Sequence, residues 1–231
     1  MKINHILITT EYAELLALDF YSQINNLDFL KIAKNRSPKK LDVFPDFVID
    51  NNLYLEVTRS LDEVSGKQNN DTATVFDSDD KGNTVCCINE RNKEYERNGN
   101  NHDISFSLYH GIAVAELPIV SDERILSNIL ESIVKKEFSA KPKKPSGVLL
   151  DLFVVNYHEL SLELEEQIIA SVKLNGCLNK IYITYLRDSS IFVLELKNDH
   201  HSVYKISECR SKEELINLLF KLGWIKGEKY K

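Results

Sequence analysis

Apolar residues follow two different spacings along this chain, one helical and one strand-like. Helical spacing predicts helices at Glu11–Asn25, Ser121–Phe138, Leu160–Leu174 and Lys212–Leu222. Alternating or continuous apolar runs predict strands at Phe44–Ile49, Leu53–Thr58, Val148–Val155, Ile181–Leu186 and Ile191–Leu196. This order of helices and strands predicts an α/β fold in which a mixed central β-sheet is flanked by helices.

Two of the predicted strands form a β-hairpin. Phe44–Ile49 and Leu53–Thr58 flank the turn-forming segment Asp50–Asn52, and such turns between β-rich runs are typical of hairpins. Val148–Val155 is a continuous apolar run, typical of a central strand that is covered on both faces. We therefore expect the hairpin to lie in the same sheet as Val148–Val155 and Ile181–Leu186.

Helical spacing also predicts which side of each helix is buried. In the first helix, Asp19 and Ser22 fall on the polar side, and Glu14 falls near the edge of the apolar side. In the second helix, the apolar side begins at Ile125 and ends at Phe138. Both helices are thus expected to cover the sheet with one side only.

The chain is predicted to form a single domain over residues 1–231. This length suffices for one well-buried core but not comfortably for two full domains. Residues 66–103 are polar and loosely patterned, so we predict a mobile loop or insertion there, with a helical segment at Val85–Arg97. Asp103–Leu117 alternates like a strand at first and then becomes continuously small and apolar, which leaves its structure ambiguous.

The balance of charge is acidic overall and basic in places. Thirty-five acidic against 29 basic residues give a net charge of −6, which excludes a generally basic nucleic-acid binder but not a local basic cleft. Two segments, Lys31–Lys40 and Lys135–Lys144, each hold five basic residues. They are either solvated loops or surfaces that contact phosphates. The candidate phosphate contacts are Lys31, Lys34, Arg36, Lys39, Lys40, Lys141, Lys143 and Lys144.

Several other classes of protein lack support in the sequence. The four cysteines form no CxxC pair and no signal peptide is apparent, which predicts a reducing, cytoplasmic setting. No apolar run approaches the roughly 20 residues of a membrane-spanning helix. Phosphate-binding glycine loops and the HExxH and GxSxG motifs are missing. His200 and His201 are interpreted as part of a solvated turn.

The hairpin carries the most informative pair of polar residues. Asp46 opens the first strand and Glu56 lies in the second, ten residues later. Because paired strands bring such positions together, the two carboxylates can converge at one end of the sheet. Carboxylate oxygens suit Mg²⁺ or Mn²⁺. A carboxylate inside an apolar strand also needs a compensating cation, either a metal ion or a lysine.

This segment, PDFVIDNNLYLEVT, resembles the core of the PD-(D/E)xK restriction-endonuclease-like superfamily. The resemblance implies a restriction-endonuclease-like core in which Asp46 and Glu56 ligate Mg²⁺ or Mn²⁺, together with the carbonyl of Val57. It also implies a further carboxylate on the preceding helix, for which Glu14 is the better placed of two candidates. The family lysine is missing, because Thr58 stands at its position.

A lysine from elsewhere could replace the missing one. In some members of the superfamily the basic residue has moved to a neighbouring helix, and the helix Ser121–Phe138 carries Lys135 and Lys136. Helical geometry places Lys136 near the apolar side of that helix and directs Lys135 to the polar side. Lys136 is therefore the candidate catalytic lysine, and the alternative is that it is merely solvated near the helix C-terminus.

Two functions are weighed on these residues. The first is a metal-dependent nuclease that hydrolyses phosphodiester bonds, with DNA as the predicted nucleic acid. The second is a catalytically inactive nuclease-fold protein that binds nucleic acid or a protein partner, which the threonine at position 58 favours. A third reading is an unrelated α/β protein in which the PD pair is accidental, and it would be supported if Asp46 and Glu56 were far apart. Homodimerisation stays open.

Overall fold

The computed structural model describes residues 10–36, 44–60, 106–109, 112–115, 121–174, 176–198 and 200–224. The chain divides into two compact units. Met1–Thr9 and Leu61–Ser121 form the first unit, and Thr10–Ser60 with Asp122–Lys231 form the second. The predicted insertion at 66–103, with its helical segment, lies outside the described residues, and the single-domain organisation stays a prediction.

The second unit contains a six-stranded sheet and five helices among its described residues. Its helices are α1 (Thr10–Asn25), α2 (Phe29–Lys34), α3 (Asp122–Ala140), α4 (Leu162–Ser171) and α5 (Lys212–Lys221). Its strands are β1 (Phe47–Asp50), β2 (Leu53–Arg59), β5 (Leu149–Val155), β6 (Lys180–Arg187), β7 (Ser190–Lys197) and β8 (His200–Lys205). In the first unit, β3 (Phe106–Tyr109) and β4 (Ile112–Ala115) pair as an antiparallel hairpin. Both strands lie within Asp103–Leu117, the segment whose sequence pattern left its structure ambiguous.

The six strands follow the order β1-β2-β5-β6-β7-β8. The pairs β2–β5 and β5–β6 are parallel, and the remaining pairs are antiparallel. The prediction of an α/β fold with a mixed central sheet is confirmed. The predicted hairpin is confirmed as well, and it lies in the same sheet as the apolar strand β5.

The central position of β5 in the sheet explains why its sequence is apolar at every position except Asp151. It lies between β2 and β6, and the side chains from Leu150 to Val155 are buried on both faces. In the register, Leu55 pairs with Asp151 and Glu56 pairs with Leu152. Neighbouring positions point to opposite faces, so the sheet has a Leu55 face and a Glu56 face.

A helix covers each face of this sheet. On the Leu55 face, Tyr21 of α1 donates a hydrogen bond of 2.8 Å to Asp151 Oδ2. On the Glu56 face, α3 packs against β2 and β5 and presents Ile129 and Ile133. The Glu56 face is therefore the face on which a side chain of α3 can reach the hairpin.

The final helix ends as its sequence predicts. Ser211 caps α5, and Glu214 completes a capping box in which each residue bonds to the backbone of the other. Gly223, just beyond the helix, has a φ of +71°, which glycine adopts without the steric cost of a side chain.

None of the helices in the described ranges is long and apolar enough to cross a membrane.

Three predictions about burial or secondary structure are wrong. Asp19 and Ser22 are buried, because α1 also packs against α2 and α5, and Arg210 Nε lies 3.0 Å from Asp19 Oδ1. Phe138 is 82% exposed. It lies nine residues after Ile129, a rotation of about 180° at 3.6 residues per turn. His200 and His201 begin β8 and do not form a turn, since pairing with β7 orders this polar segment.

Candidate active site

Asp46 and Glu56 are held together by the backbone of the hairpin. Phe47 pairs with Leu55, which places Asp46 beside Glu56 and Val57. Asp46 Oδ2 accepts a hydrogen bond of 2.8 Å from the amide of Val57, and Glu56 Oε1 accepts one of 3.2 Å from the amide of Asp46. These two bonds bring the carboxylates to one end of the hairpin, so the separation that would support an accidental PD pair is not observed.

Lys136 of α3 completes the cluster. Its Nζ lies 2.5 Å from Glu56 Oε2 and 3.7 Å from Asp46 Oδ2. Lys135, its neighbour in sequence, is exposed, so the two lysines point as the helical geometry predicted. The Lys136, Glu56 and Asp46 side chains are 27%, 5% and 16% exposed. The cluster is thus largely enclosed but reaches solvent on its lysine and aspartate sides.

Burial and neighbouring charge control the proton affinities in this cluster. Burial, with the Asp46 carboxylate as a second cause, raises the pKa of Glu56 to about 7, although Lys136 opposes the shift. Burial by itself lowers the pKa of Lys136, but the carboxylates of Asp46, Glu56 and Glu14 outweigh it and raise that pKa above its ordinary value. Near neutral pH the cluster therefore holds a protonated lysine beside a glutamate that is close to its titration midpoint.

Glu14 lies near the start of α1 and is paired with Arg36, which the sequence pattern predicted to be a phosphate contact. Arg36 forms an ion pair with Glu14, and the two side chains are 8% and 5% exposed. The Arg36 guanidinium carbon also lies 4.1 Å from the centroid of the Trp224 ring and 5.8 Å from that of Phe47. The Arg36 side chain is therefore directed inward, and its burial contradicts the prediction that it contacts phosphate.

The other basic residues divide into three groups. Lys31, Lys34, Lys141 and Lys143 are exposed, as a phosphate contact requires. Lys144 is half-buried, and its Nζ donates a hydrogen bond of 2.7 Å to the carbonyl of Val148. Lys39 and Lys40 lie outside the described residues, so their predicted role stays a prediction.

The donor set suits a divalent cation with mixed ligands. In the part of the chain that the structure describes, no three His, Cys, Asp or Glu side chains are grouped so that they could hold a metal ion. Mg²⁺, however, is commonly bound by one or two carboxylates, with water and phosphate oxygens as the other ligands. Asp46 and Glu56 fit that requirement, and the resemblance adds the carbonyl of Val57.

Sequence reasoning missed the role of Arg36 and did not consider Trp224. Arg36 lies in a run of lysines, which suggested a solvated basic segment. The one available signal was composition, because Arg36 is the sole arginine in Lys31–Lys40, and arginine is preferred over lysine in buried ion pairs and in stacking on aromatic rings. Trp224 lies 188 residues away in the chain, so its contact with Arg36 requires the tertiary fold.

Comparison of this chain with protein-family models, with curated proteins and with solved structures finds no match. The interpretation of the site therefore depends on the residues of this chain and on their geometry.

The raised pKa of Glu56 predicts how the metal-free protein responds to pH. Because the folded state keeps this proton up to about pH 7, against an ordinary pKa of 4.5, the folded state binds more protons than the unfolded state between these values. The free energy of unfolding should therefore fall as pH rises from about 4.5 to 7, by up to about 3 kcal/mol from this group. Urea denaturation in EDTA at about pH 5 and pH 8 measures the change.

The matched variant for this measurement is Glu56→Gln, which keeps the size of the side chain and removes its titration. Asp19 and Asp151 also have raised pKa values, mainly because of burial, and they titrate in both proteins. Their contributions cancel in the difference between wild type and Glu56→Gln. Equal pH slopes for the two proteins would show that Glu56 does not titrate in this range.

Proposed function

We propose that this protein is a metal-dependent nuclease with a restriction-endonuclease-like core that hydrolyses phosphodiester bonds. The observation that carries the proposal is the cluster of Asp46, Glu56 and Lys136, in which two carboxylates and one ammonium group meet at the end of the hairpin. A PD-(D/E)xK site requires the same chemical groups. Here the ammonium group comes from α3 and compensates for the threonine at position 58.

The cofactor in this proposal is Mg²⁺ or Mn²⁺, held by Asp46, Glu56 and the carbonyl of Val57. Such an ion supplies positive charge at the attacked phosphate and lowers the pKa of a bound water. The backbone amides of Val57 and Asp46 hold the carboxylates of Asp46 and Glu56 before the ion binds, so little conformational freedom is lost on binding.

Lys136 acts through its charge and its donors. Hydrolysis of a phosphodiester builds negative charge on the phosphate oxygens, and an ammonium group fixed nearby stabilises that charge more in the transition state than in the ground state. The carboxylates of Asp46, Glu56 and Glu14 keep Lys136 protonated, as its raised pKa indicates. Thr58 can contribute only a neutral hydrogen bond.

The exposed lysines support nucleic acid as the substrate, with DNA as our proposal. Lys31 and Lys34 lie on α2, which packs against β1, and Lys141 and Lys143 follow α3. Lys141 and Lys143 lie on the side of α3, which covers the Glu56 face, and Lys31 and Lys34 lie on the opposite face of the hairpin. Exposed lysines attract the phosphate backbone without reading its sequence. They allow a chain with a net charge of −6 to bind nucleic acid locally.

Cleavage of labelled DNA with Mg²⁺ or Mn²⁺ tests the proposal, with Asp46→Asn as the variant and Asp50→Asn as its control. Both substitutions remove one charge from the same hairpin, but Asp50 is exposed at the turn, where its Oδ1 accepts a hydrogen bond from Asn52. We expect Asp46→Asn to lose at least about 100-fold in rate, because loss of a metal ligand removes several kcal/mol of charge stabilisation. Asp50→Asn should cleave like wild type.

Two outcomes would contradict the proposal. Equal cleavage by wild type and Asp46→Asn would show that a contaminant or another site cleaves the DNA. Absence of metal-dependent cleavage by wild type, combined with binding of nucleic acid or of a protein partner, would favour the inactive nuclease-fold protein.

A further inference from the structure

An aromatic and apolar patch lies on the hairpin next to the proposed active site. We define the hairpin patch as Phe44, Val48 and Tyr54. Val48 is 52% exposed, and Phe44 and Tyr54 are half-buried. The rings of Phe44 and Tyr54 meet edge to face with centroids 6.0 Å apart. Three neighbouring apolar side chains thus reach solvent at the edge strand of the sheet.

The hairpin patch shares a face with the active-site carboxylates. Tyr54 and Glu56 are two positions apart in β2, so they point to the same side about 6.6 Å apart. Val48 pairs with Tyr54 across the hairpin and therefore shares this side too. A polymer whose phosphate occupies the Asp46–Glu56–Lys136 cluster would place its neighbouring groups over the hairpin patch.

The charges around the hairpin patch indicate what covers it. Lys136 of α3 and exposed Lys143, which follows α3, lie on the side of the sheet that carries the patch, whereas Lys31 and Lys34 of α2 lie on the opposite face, where Arg36 contacts Phe47. Aromatic side chains beside lysines can bind single-stranded nucleic acid, because bases stack on the rings and lysines attract phosphates. In a duplex, by contrast, the faces of the bases are stacked on each other.

We propose that the hairpin patch is a stacking subsite for an unpaired base next to the scissile phosphate, so that the preferred substrate is single-stranded nucleic acid. The proposal rests on the proposed nuclease function, which it deepens by naming the substrate class. Tyr54 supplies the ring on which the base stacks, and Phe44 and Val48 hold that ring in place.

Binding of fluorescent oligothymidylate by the full chain in Ca²⁺ tests the subsite. The comparison probes are a matched DNA duplex and an abasic strand of equal length, which keeps the phosphates and removes every base. The variants are Tyr54→Leu, which keeps apolar bulk, and Tyr54→Phe, which keeps the ring. Phe138→Ala is the control, because Phe138 is 82% exposed on the outer side of α3, away from the hairpin.

We expect Tyr54→Leu to weaken oligothymidylate binding by about 5- to 100-fold, the range of one base–aromatic stack. Binding of the duplex and of the abasic strand should not change, so wild type should prefer oligothymidylate to the abasic strand and Tyr54→Leu should not. Tyr54→Phe and Phe138→Ala should bind like wild type. Melting temperatures measured for all variants verify that each one is folded.

Three results would overturn the subsite. The first is wild-type affinity of Tyr54→Leu for oligothymidylate, and the second is an equal loss on all three probes. The third is a change in oligomeric state without a change in DNA binding, which would assign the patch to a second copy of this chain. If the subsite fails while Asp46-dependent cleavage persists, the nuclease proposal stands. Absence of cleavage by wild type counts against the nuclease function itself.

Discussion

Replacing Lys136 by alanine is expected to lower the rate of DNA cleavage by about 10²–10³, the usual cost of removing one group that stabilises charge in a transition state. Nζ of Lys136 is the cation that the structure places 2.5 Å from Glu56 and 3.7 Å from Asp46. Some stability should be lost as well, because Lys136→Ala removes the ion-pair partner of the buried Glu56 carboxylate. Single-turnover cleavage and thermal melting measure the two effects separately.

Lys135→Ala is the matched control, since it removes the same side chain from the adjacent, exposed position on α3. Lys136→Ala/Thr58→Lys provides a rescue test, because position 58 shares the face of Glu56 and matches the family lysine. We expect partial recovery of the rate in this double variant. Cleavage by Lys136→Ala at the wild-type rate would show that Lys136 does not replace the lysine that is missing at position 58. Cleavage by Thr58→Lys alone, with an inactive wild type, would identify a decayed site.

Replacing Arg36 by methionine is expected to destabilise the protein by about 3–5 kcal/mol, the usual cost of removing one partner of a buried ion pair. The Glu14 side chain is 5% exposed and pairs with Arg36. The guanidinium also stacks on Trp224 with a separation of 4.1 Å, a contact that methionine replaces only in part. At about 2–4 °C per kcal/mol for a chain of this size, the melting temperature should fall by roughly 10 °C.

The double variant Arg36→Met/Glu14→Gln separates charge from packing. If removal of the Arg36–Glu14 ion pair causes the loss, neutralising Glu14 should recover a large part of the stability. Lys34→Met, which changes an exposed lysine two residues earlier, should leave the melting temperature unchanged. A loss as large for Lys34→Met as for Arg36→Met would indicate that α2, and not the ion pair, is sensitive.

Local patterns in the sequence were sufficient for the elements that build the site. Alternation around Asp50–Asn52 predicted the hairpin, and the apolar run predicted β5 as a central strand, because burial on both faces disfavours polar residues that lack a hydrogen-bond partner. Helical periodicity also predicted that Lys136, and not Lys135, turns toward the sheet. Each of these depends on the fixed repeat of a helix or a strand, which a sequence displays directly.

Contacts between distant segments were decided only by the tertiary structure. The packing of α5 and Arg210 against α1 buries Asp19, and Trp224 meets Arg36 across 188 residues of sequence. The pKa of Glu56, about 7, likewise depends on the depth of burial and on Asp46 and Lys136 together. Periodicity specifies which side of an element is apolar, but it does not specify which element covers the other side. The element that packs on that other side determines which polar groups are buried and which charges are compensated, so both require the folded chain.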